Sequence, residues 1–143
     1  GLVSVCDYVI SVPETLMGFT EVRLGLIPAV ISPYCISKVG ESNARAWMIN
    51  GDRFSAEVAK NMGLVHEVTS DLDAAVEVAK KRFLSAGPIA AKEAKKLIRG
   101  VMKNLKVSED FACNMITERR VSAEGQEGMR ALLEKDKPAW MKK

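Results

Sequence analysis

Residues 2–12 are largely apolar, interrupted by Asp7. Within them Tyr8-Val9-Ile10-Ser11-Val12 is rich in β-branched side chains and reads as a buried strand. Pro13 and Gly18 bound a turn. Phe19 to Leu24 follows as a second short extended piece, closed by Gly25 and Pro28. Helical signals dominate from there on. Ser32-Pro33 reads as an N-cap with proline at the first helical position, and Gly40 stops that segment. Asn43 to Asn50 is helical and ends at Gly51. Ser55 caps a short helix that Gly63 ends, and Leu64 to Val68 is a short strand. Asp71 caps a helix running to about Ser85. Gly87-Pro88 breaks it and starts another helix. Ser108 opens the next, with Glu109 and Asp110 at its positive end, and Ser122 opens the last.

Two or three strands cannot make a sheet of ordinary size. The apolar stretches Leu2–Val12 and Leu24–Ile31 also have no obvious cover inside the chain. An N-terminal part or a partner subunit is therefore expected to supply it. The chain has 143 residues, enough for a single modest core, and its 48% hydrophobic and 27% charged residues fit a folded protein rather than a disordered one. No apolar run approaches the roughly 20 residues that span a bilayer. No basic-then-apolar leader precedes the first strand.

Charge is unevenly placed under the net +3. Residues 1–79 hold 5 basic and 10 acidic side chains, residues 80–106 hold 9 and 1, and residues 107–143 hold 7 of each. The basic block centres on Lys92, Lys95, Lys96, Arg99, Lys103 and Lys106. On a helix these lie opposite Ala94, Leu97, Ile98, Val101, Met102 and Leu105. That is the solvated face of an amphipathic helix; an anion-binding face is the sharper alternative. No aromatic side chain is interleaved with the lysines and no nucleic-acid motif accompanies them, which argues against a nucleic-acid partner.

Three widely spaced cysteines, Cys6, Cys35 and Cys113, and a single histidine, His66, argue against a zinc site and against a disulfide scaffold. A reducing cytoplasm fits best. The cysteines have no adjacent base and read as small buried hydrophobes. His66 reads as structural, and Trp47 and Trp140 as packing or interface residues.

Glu21 is the candidate for chemistry. It sits between apolar pieces in Gly18-Phe19-Thr20-Glu21-Val22-Arg23-Leu24-Gly25-Leu26-Ile27-Pro28. Carboxylates in such surroundings lose solvation, which suits proton transfer near neutral pH. The neighbouring glycines permit close backbone approach to a ligand. The bland reading is a surface Glu partnered by Arg23.

Several motifs together carry a resemblance. They are the Cys6-Asp7 strand, Gly18-x-x-Glu21-x-x-Leu24-Gly25-x-x-Pro28, the Gly51-Asp52-Arg53-Phe54-Ser55-Ala56-x-x-Ala59-x-x-x-Gly63-Leu64-Val65 run, and the tail from Glu127 to Pro138. In this order and spacing they resemble the enoyl-CoA hydratase (crotonase) family, over all 143 residues but only the C-terminal part of the family's chain. Pro28-Ala29-Val30-Ile31-Ser32-Pro33 looks most similar to the methylglutaconyl-CoA and related hydratases of branched-chain catabolism.

The resemblance implies an α/β crotonase-like (ββα) spiral, here its mostly α-helical C-terminal part. Residues from about 1 to 70 would end the spiral core, and residues from about 71 to 143 would form a helical trimerisation region. It implies an acyl-CoA substrate of fatty-acid or branched-chain amino-acid catabolism, no separate cofactor because coenzyme A is part of that substrate, and a homotrimer or hexamer. Glu21 matches the family's second catalytic Glu. Pro28 and Val30 fall on the acyl-pocket wall, and Lys135 on a position that can reach the CoA of a neighbouring subunit. Three departures stand out. The family's first catalytic Glu falls on Gly1. The usual Pro-Gly-x-Gly-Gly-Thr segment is changed to Pro28-Ala29-Val30-Ile31-Ser32. Ile116 stands where an aromatic near CoA is common. Both oxyanion donors would lie upstream of Gly1, so the chain alone is expected to be inactive. Isomerisation or decarboxylation of an acyl-CoA is the enzymatic alternative, and a non-catalytic piece acting only in assembly is the other.

Overall fold

The computed structural model describes residues 1–24, 26–103 and 109–142, without the side chains of residues 103 and 109–113. Gly25, Leu105, Lys106 and Ser108, and the side chains of Lys103, Glu109, Asp110 and Cys113, which entered the expectations above, lie outside the described residues. The chain forms two compact units, Gly1–Glu77 and Val78–Lys143. No helix among the described residues is long and apolar enough to cross a membrane.

The first unit begins with a short helix α1 (Leu2–Val5), then β1 (Ile10–Ser11), β2 (Leu16–Gly18) and a 3-10 turn (Glu21–Leu24). Helix α2 (Ser32–Asn50), β3 (Arg53–Ser55), α3 (Ala56–Asn61) and β4 (Glu67–Val68) complete it, and α4 (Leu72–Leu84) runs across the unit boundary. Among the described residues the strands form two separate two-stranded sheets. β1 pairs in parallel with β4, Ile10 opposite Glu67, and β2 pairs antiparallel with β3, Met17 opposite Phe54. The core gathers Phe19, Cys35, Val39, Ala44, Phe54, Ala59, Met62, Leu64 and Val65. Phe54 is its centre: its ring lies 5.8 Å from that of Phe19 and 5.0 Å from that of Trp47, tilted against both. Aromatic pairs at such angles add to their burial energy.

The second unit continues from α4 into α5 (Pro88–Lys103), α6 (Glu109–Val121), α7 (Ala123–Leu133) and a closing 3-10 turn (Ala139–Met141). Its helix ends are tied by side chains. The Glu124 carboxylate accepts the amides of Ile89 and Ala90, 2.8 and 2.6 Å away, at the start of α5 and also pairs with Arg119 at 3.1 Å. A carboxylate there satisfies orphan amides and meets the positive helix end. At the other end, Glu127 accepts from Arg130 and from the Ala139 amide, so α7 holds the closing turn.

Most of the local stop and start signals act as expected. Gly51 and Gly63 end their helices with positive φ of 67° and 80°. Ser55, Asp71 and Ser122 each accept an amide three residues on.

Several expectations need correction. Residues 2–5 are helical, and the strand expected over 8–12 shrinks to Ile10–Ser11, because its ladder partner among the described residues, β4, is two residues long. Phe19–Leu24 is not extended. Its second part turns, with the Arg23 amide donating to the Thr20 carbonyl at 3.1 Å. Ser32 is not the cap; Ile31 holds that position, while the Ser32 hydroxyl donates to the Ala29 carbonyl at 2.9 Å. Gly40, by contrast, acts as expected: its φ of 78° and ψ of 161° are not helical, so α2 is two helices that meet at a kink there. Cys35 is buried as expected, whereas Cys6 is exposed, its thiol donating back to the Leu2 carbonyl at the end of α1.

Candidate active site

Glu21 opens the 3-10 turn between β2 and α2, and three features of the sequence fix that turn in place. Gly18 lies so close to the following corner that a Cβ there would sit 3.1 Å from the Asp52 carbonyl oxygen. Gly51, at the end of α2, would bring a Cβ within 2.8 Å of the Val22 Cγ2 methyl, and its left-handed φ already disfavours any other residue. Arg23 then forms an ion pair with Asp52 across the same corner. So Arg23 pairs with Asp52, leaving Glu21 to other use.

The Glu21 side chain is partly buried, and its Oε2 is shielded from solvent with no hydrogen-bond partner among the described residues. A shielded, unpaired carboxylate oxygen costs about 1–3 kcal/mol or more. Such atoms are few in native proteins and ask for an explanation. A carboxylate oxygen with its lone pairs free can take a proton from, or give one to, a substrate carbon.

Beside the turn lies an open cleft of about 370 Å³, lined by Val22, Ile27, Pro28, Ala29, Ser32, Met48 and Ile49. Its wall is apolar apart from Ser32. Of the expected binding residues, the structure places Pro28 in this wall. Val30 does not line it and points largely to solvent, 86% exposed. Lys135 belongs to the second unit; it is exposed, just past α7, with a positive φ of 54°. Ile116 is likewise exposed in the second unit. Met48 and Ile49 are cleft residues that the sequence did not single out. They lie about 20 residues beyond Pro28, and only the folding of α2 brings them there.

Gly1 and the changed Pro28–Ser32 segment meet. A Cβ on Gly1 would fall 2.7 Å from the Ile31 Cγ2 methyl. Contacts that close force a shift, and Ile31, branched at Cβ, has little freedom to give. The space that a side chain at position 1 would need is occupied by Ile31.

His66 is exposed beside β4 and away from this cleft. Its Nδ1 accepts the Val9 amide at 3.0 Å, its ring stacks on Tyr8, and burial followed by the charge of Lys38 holds its pKa below the ordinary value.

The architecture is one known from solved structures. It matches an enoyl-CoA hydratase from Shewanella pealeana with a TM-score of 0.90 and 36% identity, over 97% of this chain and 53% of that one. An enoyl-CoA hydratase/isomerase from Marinobacter aquaeolei matches with a TM-score of 0.88 and 30% identity, over 97% and 54%. The fold is thus the crotonase-type α/β fold, represented here in part. The family model described as enoyl-CoA hydratase/isomerase matches residues 1–143, and the chain belongs to that family. Among curated relatives, an enoyl-CoA hydratase of Alternaria alternata is 32% identical over 116 residues, covering 78% of this chain and 39% of the relative. The chain spans about half the length, or less, of the relatives it matches.

Proposed function

We propose that this chain carries the proton-transfer half of a hydratase that adds water to a 2-enoyl-CoA, or removes it from a 3-hydroxyacyl-CoA. The observation that carries this reading is the Glu21 carboxylate oxygen, shielded and without a partner among the described residues, on the turn whose next residue, Val22, lines an apolar cleft. In the hydration direction the Glu21 carboxyl gives its proton to the alpha carbon as a water oxygen bonds the beta carbon, and the proton that water loses restores the carboxyl; in reverse the carboxylate removes the alpha proton as the beta hydroxyl leaves as water. The cleft, with Pro28 in its wall, takes the acyl chain; Val30 lies two residues on, outside that wall. Lys135 meets the phosphates of coenzyme A bound to a neighbouring copy. Coenzyme A arrives as part of the substrate and no resident cofactor is required. The donors that stabilise the thioester enolate oxygen come from outside residues 1–143, so the chain alone does not turn over. Exposed apolar side chains in both units, among them Leu24, Ile27, Ile98 and Leu133, support assembly into a trimer or hexamer. The resemblance supports a role in fatty-acid or branched-chain amino-acid catabolism, and the free thiol of Cys6 suits a reducing compartment.

A second reading has its own support. With Ile31 filling the space at Gly1, Glu21 is the single carboxylate of the two the family pattern provides. One carboxylate suffices to move a proton between two carbons, as in double-bond isomerisation, and needs no activated water.

The test is kcat of the complete protein and its Glu21→Gln variant on a panel of 2-enoyl-CoAs and 3-enoyl-CoAs. Glu21→Gln keeps the shape and removes the transferable proton. The expected drop is about 10²–10⁴-fold, with little change in substrate Kd. A variant with near-parental kcat on the best substrate removes Glu21 from the mechanism. Double-bond migration without water uptake selects the isomerase reading. Crotonyl-CoA hydration by residues 1–143 alone would overturn the division of the site.

A further inference from the structure

His66 lies outside the candidate active site, yet it holds one of the few bonds of the β1–β4 pairing. That ladder is only two residues long. Around it Val9 makes a closed exchange with His66. The Val9 amide donates to the imidazole Nδ1 at 3.0 Å, and the His66 amide donates back to the Val9 carbonyl at 2.9 Å. The Glu67 amide shares that carbonyl at 3.2 Å, and the Thr69 amide reaches the Ser11 carbonyl at 3.0 Å. The imidazole is fixed from one side by the Tyr8 ring, 5.0 Å away and nearly parallel.

The Nδ1 bond has a chemical condition. Nδ1 accepts only through its lone pair, so the ring must be neutral with its proton on Nε2. An imidazolium carries protons on both nitrogens and can accept at neither. Protonation would therefore set two N–H groups against each other at 3.0 Å. Of the charged groups around the ring, the one that shifts its titration opposes protonation. Lys38 of α2, anchored on the Cys6 carbonyl at 2.5 Å, adds a like charge. Glu67 of β4 is engaged by the Tyr8 hydroxyl at 3.0 Å. Asp7 stands two residues before Val9 on the same connection.

We propose that His66 is a proton-sensitive latch on the β1–β4 pairing: neutral, it holds the Val9 amide, and protonated, it releases it. The released segment, residues 8–12, leads directly into β2 and the Glu21 turn, so mild acid loosens the strand that feeds the candidate active site. Barely perturbed titration would not do this; the backbone donor aimed at Nδ1 is what makes the ring's charge a structural variable.

His66 is the one histidine in the sequence, which makes the test clean. Amide hydrogen exchange of Val9, corrected for intrinsic rates, is followed from pH 7.5 to 5.5 in the native chain and in His66→Asn. Asn places Oδ1 where Nδ1 stood, an acceptor that does not titrate in this range. In the native chain the opening of Val9 is expected to rise several-fold, up to about tenfold, since in the opened segment the ring regains its ordinary pKa near 6.5 and is about nine-tenths protonated at pH 5.5. In His66→Asn it stays flat. Equal pH dependence in both overturns the proposal. Should His66→Asn fail to fold, the single imidazole resonance of the native chain decides. A midpoint below about 6.5, shared by the Val9 amide shift, supports the latch, and a midpoint at or above it, or a Val9 amide that does not follow, rejects it.

Discussion

In the unit Gly1–Glu77, Phe54 packs against Phe19 and Trp47, with Val65 and Cys35 wholly buried beside them. In the unit Val78–Lys143, the buried apolar side chains among the described residues are Ala79 and Ala131. There, Glu124 capping α5 and Arg130 gathering Glu127, Glu134 and Asp136 stand where large apolar side chains stand in the first unit. Meanwhile Ile98, Val121, Leu132 and Leu133 are each more than half exposed. The difference shows where each unit's stability comes from. Buried aromatic area is worth several kcal/mol per side chain, whereas exposed ion pairs are worth from nothing to about 1 kcal/mol each. The first unit can hold a rigid site with its own core. The second holds local helix geometry and presents its apolar side chains outward.

The comparison breaks most easily at Phe54. Phe54→Ala should cost about 3–5 kcal/mol in denaturant unfolding, with hydrogen-exchange protection lost across residues 1–77. Leu133→Ala, an equally drastic truncation at an exposed position of the second unit, should stay within about 0.5 kcal/mol when the chain is measured unassembled at low concentration. Comparable losses in the two variants would mean that the outward face of α7 is covered in solution.

The next largest effect belongs to Glu124. Glu124→Ala leaves the Ile89 and Ala90 amides without their acceptor and Arg119 without its partner. A cost of about 1–3 kcal/mol follows, read as fraying of the first turn of α5. Glu124→Gln keeps one carbonyl acceptor and should recover part of it. A loss-free Glu124→Ala would show that water caps α5 equally well.

Those two sites differ in how far the sequence announces them. Ser55, Asp71, Ser122, Gly51 and Gly63 act through their nearest neighbours, so spacing alone placed the helix ends. Glu124 was invisible as a cap because it serves amides 34 and 35 residues away. Phe19–Leu24 misled for the same reason. Apolar residues suggest an extended piece, but the approach of Gly18 and Gly51 and the Arg23–Asp52 pair bend it, and these are contacts between distant segments. In the candidate site Glu21 and Pro28 were legible from their motif. Met48 and Ile49 were not, because a helical residue carries no local sign of the cleft it faces. Nor was the meeting of Gly1 with Ile31, which joins two departures from the family pattern that read as separate in the sequence.

A matched pair of caps compares the units at smaller scale. Ser55 accepts the Val58 amide at 3.4 Å, and Ser122 accepts the Gly125 amide at 3.1 Å while donating to the Arg119 carbonyl at 2.7 Å. Each serine-to-alanine change should cost about 1 kcal/mol, with Ser122→Ala the larger. Thermal melts of the two variants measure this. A larger loss at Ser55 would show that anchoring to the aromatic core, rather than cap geometry, sets the cost.

The smallest effect is the pH response of the second unit. Arg130 donates to both Glu127 oxygens, at 2.7 and 2.8 Å, and the Ala139 amide adds a third bond at 2.9 Å. These bonds lower the Glu127 carboxyl from its ordinary 4.5 to about 2. Asp136 is lowered too, first by the Lys142 ammonium and then by the Lys137 amide. A carboxyl whose folded value is depressed binds fewer protons in the native state than in the unfolded one. Its contribution is fully present above the ordinary value and is lost as pH falls through the folded one, here between about 4.5 and 2. His66 is depressed as well, so its contribution is also lost on acidification, but the window opens at its ordinary value of 6.5. The units should therefore respond to acid in order. Protection of Val9 weakens between pH 7.5 and 5.5, while that of Ala139 is unchanged until the pH passes below about 4.5. The clamp is open to solvent, so its loss frays the closing turn without unfolding α7. Glu127→Gln should abolish the late step and leave the early one intact. Exchange of Val9 and Ala139 rising together near pH 6 would mean that one event governs both units, and the contrast between their internal chemistries would then not extend to their stability in acid.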